Sequence, residues 1–260
     1  MVNHGRVFTS ILLAAFTAFA LGACGAPADS DAPLAYMGDD GDVEEPNPVV
    51  PPAPDRTLKS GVLNPPATDP AEKARVLAKY THLDPAKLVP KNLLEKAVLT
   101  FDANPASFPN KNVLGVVDFS KRSNKARWWI VDLKTGSVWA IHVAHGKGSD
   151  SNRDGYAEKF SNEHGTNASS LGVYRASETY DSSKFGYSLR VDGLSTTNSN
   201  VRDRAIVVHP AWYVRESNVV QGLTAGCLGV SSSLSKKLID MIRNGSMILV
   251  DLSGQTAAGK

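Results

Sequence analysis

Cysteine is almost missing from this chain of 260 residues, which holds Cys24 and Cys227 and no others. A scaffold stapled by several disulfides is thereby excluded, and at most one bridge is available. Aromatic residues make up only 7%. Basic stretches interleaved with aromatics, the usual footprint of nucleic-acid binding, do not occur, so no nucleic-acid partner is expected. The longest greasy stretch, Ile11–Leu21, has 11 residues, well short of the roughly 20 that a membrane-spanning helix needs. Neither sign of charge dominates, with 28 Lys and Arg against 26 Asp and Glu, and 42% hydrophobic residues rule out a wholly disordered chain.

What is present is unevenly distributed. Ten of the 15 prolines lie between Pro27 and Pro70, and residues 25–70 hold nine acidic side chains against two basic ones. The remainder, 71–260, is left with a net charge of +8 and is long enough to bury one sizeable core. Residues 1–23 begin with His4 and Arg6, continue with the apolar stretch, and end Leu21-Gly22-Ala23 before Cys24, which is a signal-peptide pattern. The ending Leu21-Gly-Ala-Cys24 resembles the lipobox of bacterial lipoproteins, and this implies cleavage before Cys24 with lipid on its sulfur. Gly25 rather than Asp after the lipidated position implies a protein of the cell envelope, held at the outer membrane and facing the periplasm if the source has two membranes. The segment 24–70 then reads as a lipidated cysteine followed by a disordered tether, because its Pro-, Ala- and Asp-rich composition cannot bury enough surface to offset chain entropy.

Helix formers with apolar residues three and four apart predict two lead-in helices over 70–82 and 85–98, within a helical segment 71–110. From Val113 the period changes. Strands are expected over 113–119, 127–133, 137–143, 171–178, 187–191, 205–209 and 247–252, with one amphipathic helix over 234–243. The fold class is therefore mainly β, a β-sandwich or barrel-like sheet with a few peripheral helices, spanning 111–252 and followed by a flexible tail at 253–260.

The sharpest chemical feature is the second cysteine, in Thr224-Ala-Gly-Cys227-Leu-Gly-Val230, with His209 eighteen residues upstream at the end of an apolar strand. A thiol reacts as its thiolate, and histidine has the pKa best suited to take that proton near neutrality. Gly226 permits a tight turn in which the backbone N–H groups of Gly226 and Cys227 can face a developing oxyanion. The alternative is a small buried thiol beside a satisfied strand-end histidine.

The spacing His209-x14-Thr224-x-Gly-Cys227 resembles the signature of bacterial cysteine L,D-transpeptidases. The blocks Val143–Asp150, Ser169–Tyr174, Glu178–Tyr180, Leu189–Leu194 and Arg204–His209 look like the murein branch of that family. The resemblance implies a catalytic domain in which Cys227 attacks a peptidoglycan stem peptide, releases terminal D-alanine and passes the acyl group to an amine. His209 is implied as base and then acid, oriented by the Pro210 carbonyl, with no metal or organic cofactor and with carbapenem-type inhibitors acylating the same sulfur. His145, Ser170, Trp212 and Thr224 are further candidates for holding substrate. The sequence departs from the branch at Leu223, at Ala225 and at Leu228-Gly-Val230, where family members can carry residues that clamp substrate. Two alternatives stand beside the transpeptidase: a hydrolase of the same fold, trimming stems or releasing wall-attached protein, and a wall-binding lipoprotein without turnover.

Three weaker patterns complete the reading. His142 and His145, three apart on an extended strand, point to opposite faces and do not form a shared metal site. Asp150-Ser-Asn-Arg-Asp-Gly155 imitates the start of a calcium loop but has Ser161 where the bidentate carboxylate belongs. Trp128, Trp129 and Trp139 are expected as core and cross-strand partners.

Overall fold

The computed structural model describes residues 63–254 together with Met1. The apolar N-terminal stretch, the lipobox-like Cys24, most of the proline-rich tract and the tail from 255 onward lie outside the described residues. The body starts a little earlier than composition suggests. Leu63 packs against the core, and Asn64 donates its backbone N–H to Asn104 Oδ1 at 2.7 Å while accepting from Asn104 Nδ2 at 3.0 Å.

Helix α1 (Pro70–Ala78) opens as its Asp-Pro start predicts, with the Asp69 carboxylate accepting the Glu72 N–H at 2.9 Å. The second helix does not begin at Pro85. The Asp84 carboxylate instead accepts the N–H groups of Leu88 (2.9 Å) and Val89 (2.8 Å), so side chain competes with helix for those donors. Helix α2 (Lys91–Ala103) starts after Pro90.

Eight strands follow: β1 (Val113–Asp118), β2 (Trp128–Asp132), β3 (Val138–Ile141), β4 (Gly172–Ser182), β5 (Gly186–Gly193), β6 (Val207–Ala211), β7 (Leu228–Ser231) and, after helix α3 (Ser232–Ile242), β8 (Met247–Asp251). They form one sheet in the order β3-β2-β1-β8-β4-β5-β6-β7. Only β1–β8 and β6–β7 are parallel. Just beyond β3, Ala144 bridges to Gly229 of β7, with Ala144 N–H donating to the Gly229 carbonyl at 2.8 Å, so the two ends of the sheet meet. The architecture is mainly β and barrel-like, with its helices at the margins.

Alternation along the central strands explains where the core lies. Val113, Val117, Trp128, Ile130, Ile248 and Val250 face one cluster, which α3 completes with Leu238, Ile239 and Ile242. Leu114, Val116, Trp129, Val131, Met247 and Leu249 face the other, under α1 and α2. Strands covered on both faces read as unbroken apolar runs, which is why β1, β2 and β8 were legible. Strand β7 was not, because four residues carry no period.

Candidate active site

The turn that presents Cys227 is built by its own hydroxyl. Thr224 Oγ1 accepts the Gly226 N–H at 3.1 Å and donates to the Cys227 carbonyl at 2.9 Å, closing the loop just before β7. Gly226 takes φ +117, and a side-chain carbon there would lie 2.9 Å from the Ala168 carbonyl oxygen and 2.9 Å from Ile206 Cδ1. Only glycine fits. The segment after β3 clamps the turn from the other side, as Thr224 N–H donates to the His145 carbonyl at 2.9 Å and Lys147 N–H to the Thr224 carbonyl at 2.7 Å. Gly146 must also be bare, since a Cβ there would lie 2.9 Å from Gly226 Cα and 2.3 Å from the Asn167 oxygen.

His209 sits in β6, directly opposite Gly229 of the parallel strand β7. Cys227 lies in the turn one residue before β7, two positions from Gly229. His209 Nδ1 lies 3.0 Å from the Pro210 carbonyl. A carbonyl can only accept, so Nδ1 carries the proton and Nε2 is left as the basic nitrogen. The Phe185 ring, in the β4–β5 hairpin, stacks on the imidazole with centroids 3.9 Å apart and planes 23° apart. His209 is 1% exposed and Cys227 9%. Its sulfur is at the border of the larger apolar cluster, 3.9 Å from the Ala205 carbonyl.

Beside the turn lies a cation that sequence reading did not single out. Arg204 is half-buried, and its Nη1 donates to the Ser161 carbonyl (2.7 Å) and Ser170 Oγ (2.8 Å), its Nη2 to the Ala168 carbonyl (2.7 Å). Burial pulls its pKa below the usual guanidinium value, and the nearness of Tyr174 and Cys227, which would attract it once ionised, offsets part of that. Burial pushes the Tyr174 phenol well above its ordinary range, and its hydroxyl donates to the Ser170 carbonyl at 2.8 Å.

Several sequence-derived assignments are corrected. His145 does not line a groove: it is fully buried, with Arg127 Nη2 donating to its Nδ1 at 2.6 Å and Asp150 Oδ2 lying 3.3 Å from its Nε2. Burial first, and the Arg127 charge second, hold its pKa at about 4, so the ring is neutral at pH 7. Arg127 is itself fully buried, brought down to about 9 by that burial, and donates to the carbonyls of Val143 and Lys121. Ser170 is 1% exposed and occupied by Arg204 and the Ser161 carbonyl, and Thr224 is 2% exposed and occupied within its own turn. Neither presents a side chain to substrate. The Gly226 N–H is taken by Thr224, so it is not an oxyanion donor in this arrangement. Trp212 differs from these three, being 64% exposed in the turn immediately after β6.

The remaining motifs resolve structurally. His142 Nδ1 meets Glu216 Oε2 at 2.9 Å, apart from the His145 cluster. Asp150, the first residue of the calcium-like loop, takes the N–H groups of Gly155 (2.9 Å) and Asp154 (3.1 Å). Burial pushes its carboxyl pKa up, but His145 and these two donors outweigh that and leave it lowered. Among the described residues no three His, Cys, Asp or Glu side chains come together to hold a metal ion. Leu228 and Val230 are core residues, 1% and 0% exposed, so β7 offers no clamp for substrate carboxylates.

Fold and site together put a histidine on one strand of a nearly closed sheet and a cysteine in the turn that leads into the parallel strand beside it. Residues 86–250 match the family model of the L,D-transpeptidase catalytic domain, and the chain belongs to that family. Among solved structures it is similar to an L,D-transpeptidase from Mycobacterium smegmatis, at 18% identity over 54% of this chain and 58% of the other, with a TM-score of 0.35. It is similar also to an L,D-transpeptidase from Stackebrandtia nassauensis (15% identity, 72% of this chain, 78% of the other, TM-score 0.34). A third, L,D-transpeptidase 3 from Mycobacterium tuberculosis in complex with a faropenem-derived adduct, has 12% identity over 54% of this chain and 60% of the other, with a TM-score of 0.34. The chain thus spans 58% of the length of the first of these structures. No curated protein matches it.

Proposed function

We propose that this protein is an envelope L,D-transpeptidase working through an acyl-enzyme on Cys227. The thiol passes its proton to His209 Nε2, and the sulfur attacks the carbonyl joining the third-position diamino acid of a peptidoglycan stem to its terminal D-alanine. The C–N bond breaks, His209 returns the proton to the leaving amine, and D-alanine departs. An acceptor amine then attacks the thioester, its nitrogen loses a proton to His209, and the sulfur is released. Transfer forms a cross-link or attaches a protein to the wall.

The observation that carries this reading is the His209 Nδ1 contact with the Pro210 carbonyl, which sets the basic nitrogen of a ring in register with the strand that begins one residue after Cys227. Labelling with a carbapenem and weighing the intact protein tests it: one covalent adduct is expected, and none on Cys227→Ser. An unlabelled wild type rejects the reading. Digesting purified wall with the enzyme separates transfer from hydrolysis, since water incorporation without new dimers identifies the hydrolase.

The low exposure of Cys227 and His209 favours a second reading, a wall-binding lipoprotein that keeps the fold without turnover. It predicts sedimentation with purified wall and no adduct. Either reading places the domain on a lipid at Cys24 with residues 25–70 as its tether. Cys24→Ser is expected to move the protein from the membrane to the soluble fraction, and retention in the membrane rejects the anchor.

A further inference from the structure

Arg204 takes no part in the mechanism above, yet it is held against the nucleophile turn. Its hydrogen-bond partners are three neutral oxygens, from Ser161, Ala168 and Ser170, and among the described residues no carboxylate pairs with it. A half-buried guanidinium without an anion is an expensive arrangement unless some negative charge arises beside it. Its Nη2 reaches the turn: a side-chain carbon on Gly226 would lie 3.3 Å from it. The next residue, Ala205, takes φ +53, a left-handed conformation seldom used by side-chain-bearing residues, and turns its carbonyl to within 3.9 Å of Cys227 Sγ. That carbonyl suits a resting S–H donor and disfavours the thiolate. The Tyr174 phenol of β4 interacts with both Arg204 and Cys227 and remains protonated at neutral pH.

We propose that Arg204 is a positioning residue that supports negative charge on the Cys227 sulfur while tying the 161–170 segment to the nucleophile turn. Ionisation of Cys227 then exchanges a thiol resting on the Ala205 carbonyl for a thiolate compensated by the guanidinium. The proposal rests on the reading of Cys227 as nucleophile, but its test needs no wall substrate.

The experiment follows the rate of Cys227 alkylation by iodoacetamide against pH, with the modified peptide quantified by mass so that Cys24 does not contribute. In the wild type the midpoint is expected below the free-thiol value of about 8.5. Arg204→Gln is expected to raise it by about one unit, a tenfold smaller thiolate fraction at neutral pH. Arg204→Lys, which keeps the charge, is expected to shift it by less than half of that. A folded Arg204→Gln with the wild-type midpoint overturns the proposal, as does a Lys variant that behaves like Gln. If Arg204→Gln does not fold, His209→Gln serves instead. With the imidazole gone, the midpoint must stay at or below about 8.5 despite burial, and a higher value overturns the proposal. Midpoint shifts without a carbapenem adduct sink the transpeptidase reading and leave this one standing. Adducts with an unmoved midpoint do the reverse.

Discussion

Two histidines flank the Cys227 turn, His145 through its backbone carbonyl and His209 through the strand paired with β7, and their surroundings differ. His145 has both ring nitrogens occupied inside the protein, by Arg127 and Asp150, and no exposed surface. His209 has Nδ1 on a backbone carbonyl and sits opposite Gly229 of β7, the strand that begins one residue after Cys227. The first is a fastener: its backbone carbonyl receives Thr224 N–H, so the buried cluster fixes the height of the Cys227 turn. The second is the base of the proposed mechanism. A neutral ring held between a buried cation and a buried carboxylate marks structural support, whereas a ring whose Nδ1–H is fixed by a backbone carbonyl has the tautomer that a general base at Nε2 needs.

The comparison can be broken most forcefully at the two residues proposed to react. Cys227→Ser or His209→Gln is expected to lower acyl transfer by at least about a thousandfold, with melting temperatures near the wild-type value. A loss of folding in step with activity would show that the pair is structural too. The opposite pattern is expected at the fastener. Arg127→Met leaves the Val143 and Lys121 carbonyls and His145 without their donor, at a cost of about 3–5 kcal/mol. At roughly 2–4 °C per kcal/mol for a domain of this size, calorimetry should record a drop of about ten degrees.

Acid sharpens the contrast next. His145 has a folded pKa of about 4 against about 6.5 when unfolded, so the unfolded chain takes up its proton first as pH falls. Its contribution is complete above pH 6.5 and is lost progressively down to pH 4, amounting to about 3 kcal/mol across that window. His145→Gln should flatten the melting profile there, and an unchanged acid slope would contradict the buried neutral ring. Glu178 acts lower. Burial pushes its carboxyl up, yet Arg202 hydrogen bonds and charge outweigh that and hold it at about 2, so its contribution is present above pH 4.5 and disappears below. The smallest effect is expected at the hinge between the two regions. Thr224→Val removes both hydroxyl bonds of the turn and should cost about 1–3 kcal/mol, with a larger fractional loss of activity than of stability.

Much of the frame was legible because the central strands are covered on both faces and therefore run apolar without interruption. The start of α2 was not, since only the three-dimensional position of the Asp84 carboxylate shows that it captures the Leu88 and Val89 donors. Cys227 and His209 were nominated by the spacing that resembles the family signature, since residue type alone reads equally well as a small buried thiol beside a strand-end histidine. The fate of His145 could not. Its partners come from positions 127 and 150, on elements that only sheet register brings together, and a strand-end histidine carries no mark of burial. Arg204 was visible five residues before His209, but its significance depends on the unusual backbone of Ala205, which no pattern announces.

The claim on which all of this depends is a covalent intermediate at one sulfur. Mixing the protein with a stem peptide ending in D-alanine and weighing it intact is the most direct measurement. The account predicts a mass increase equal to the peptide less D-alanine, mapped to Cys227 and abolished by Cys227→Ser. Turnover of the peptide with the adduct on another residue, or persisting in Cys227→Ser, would contradict it.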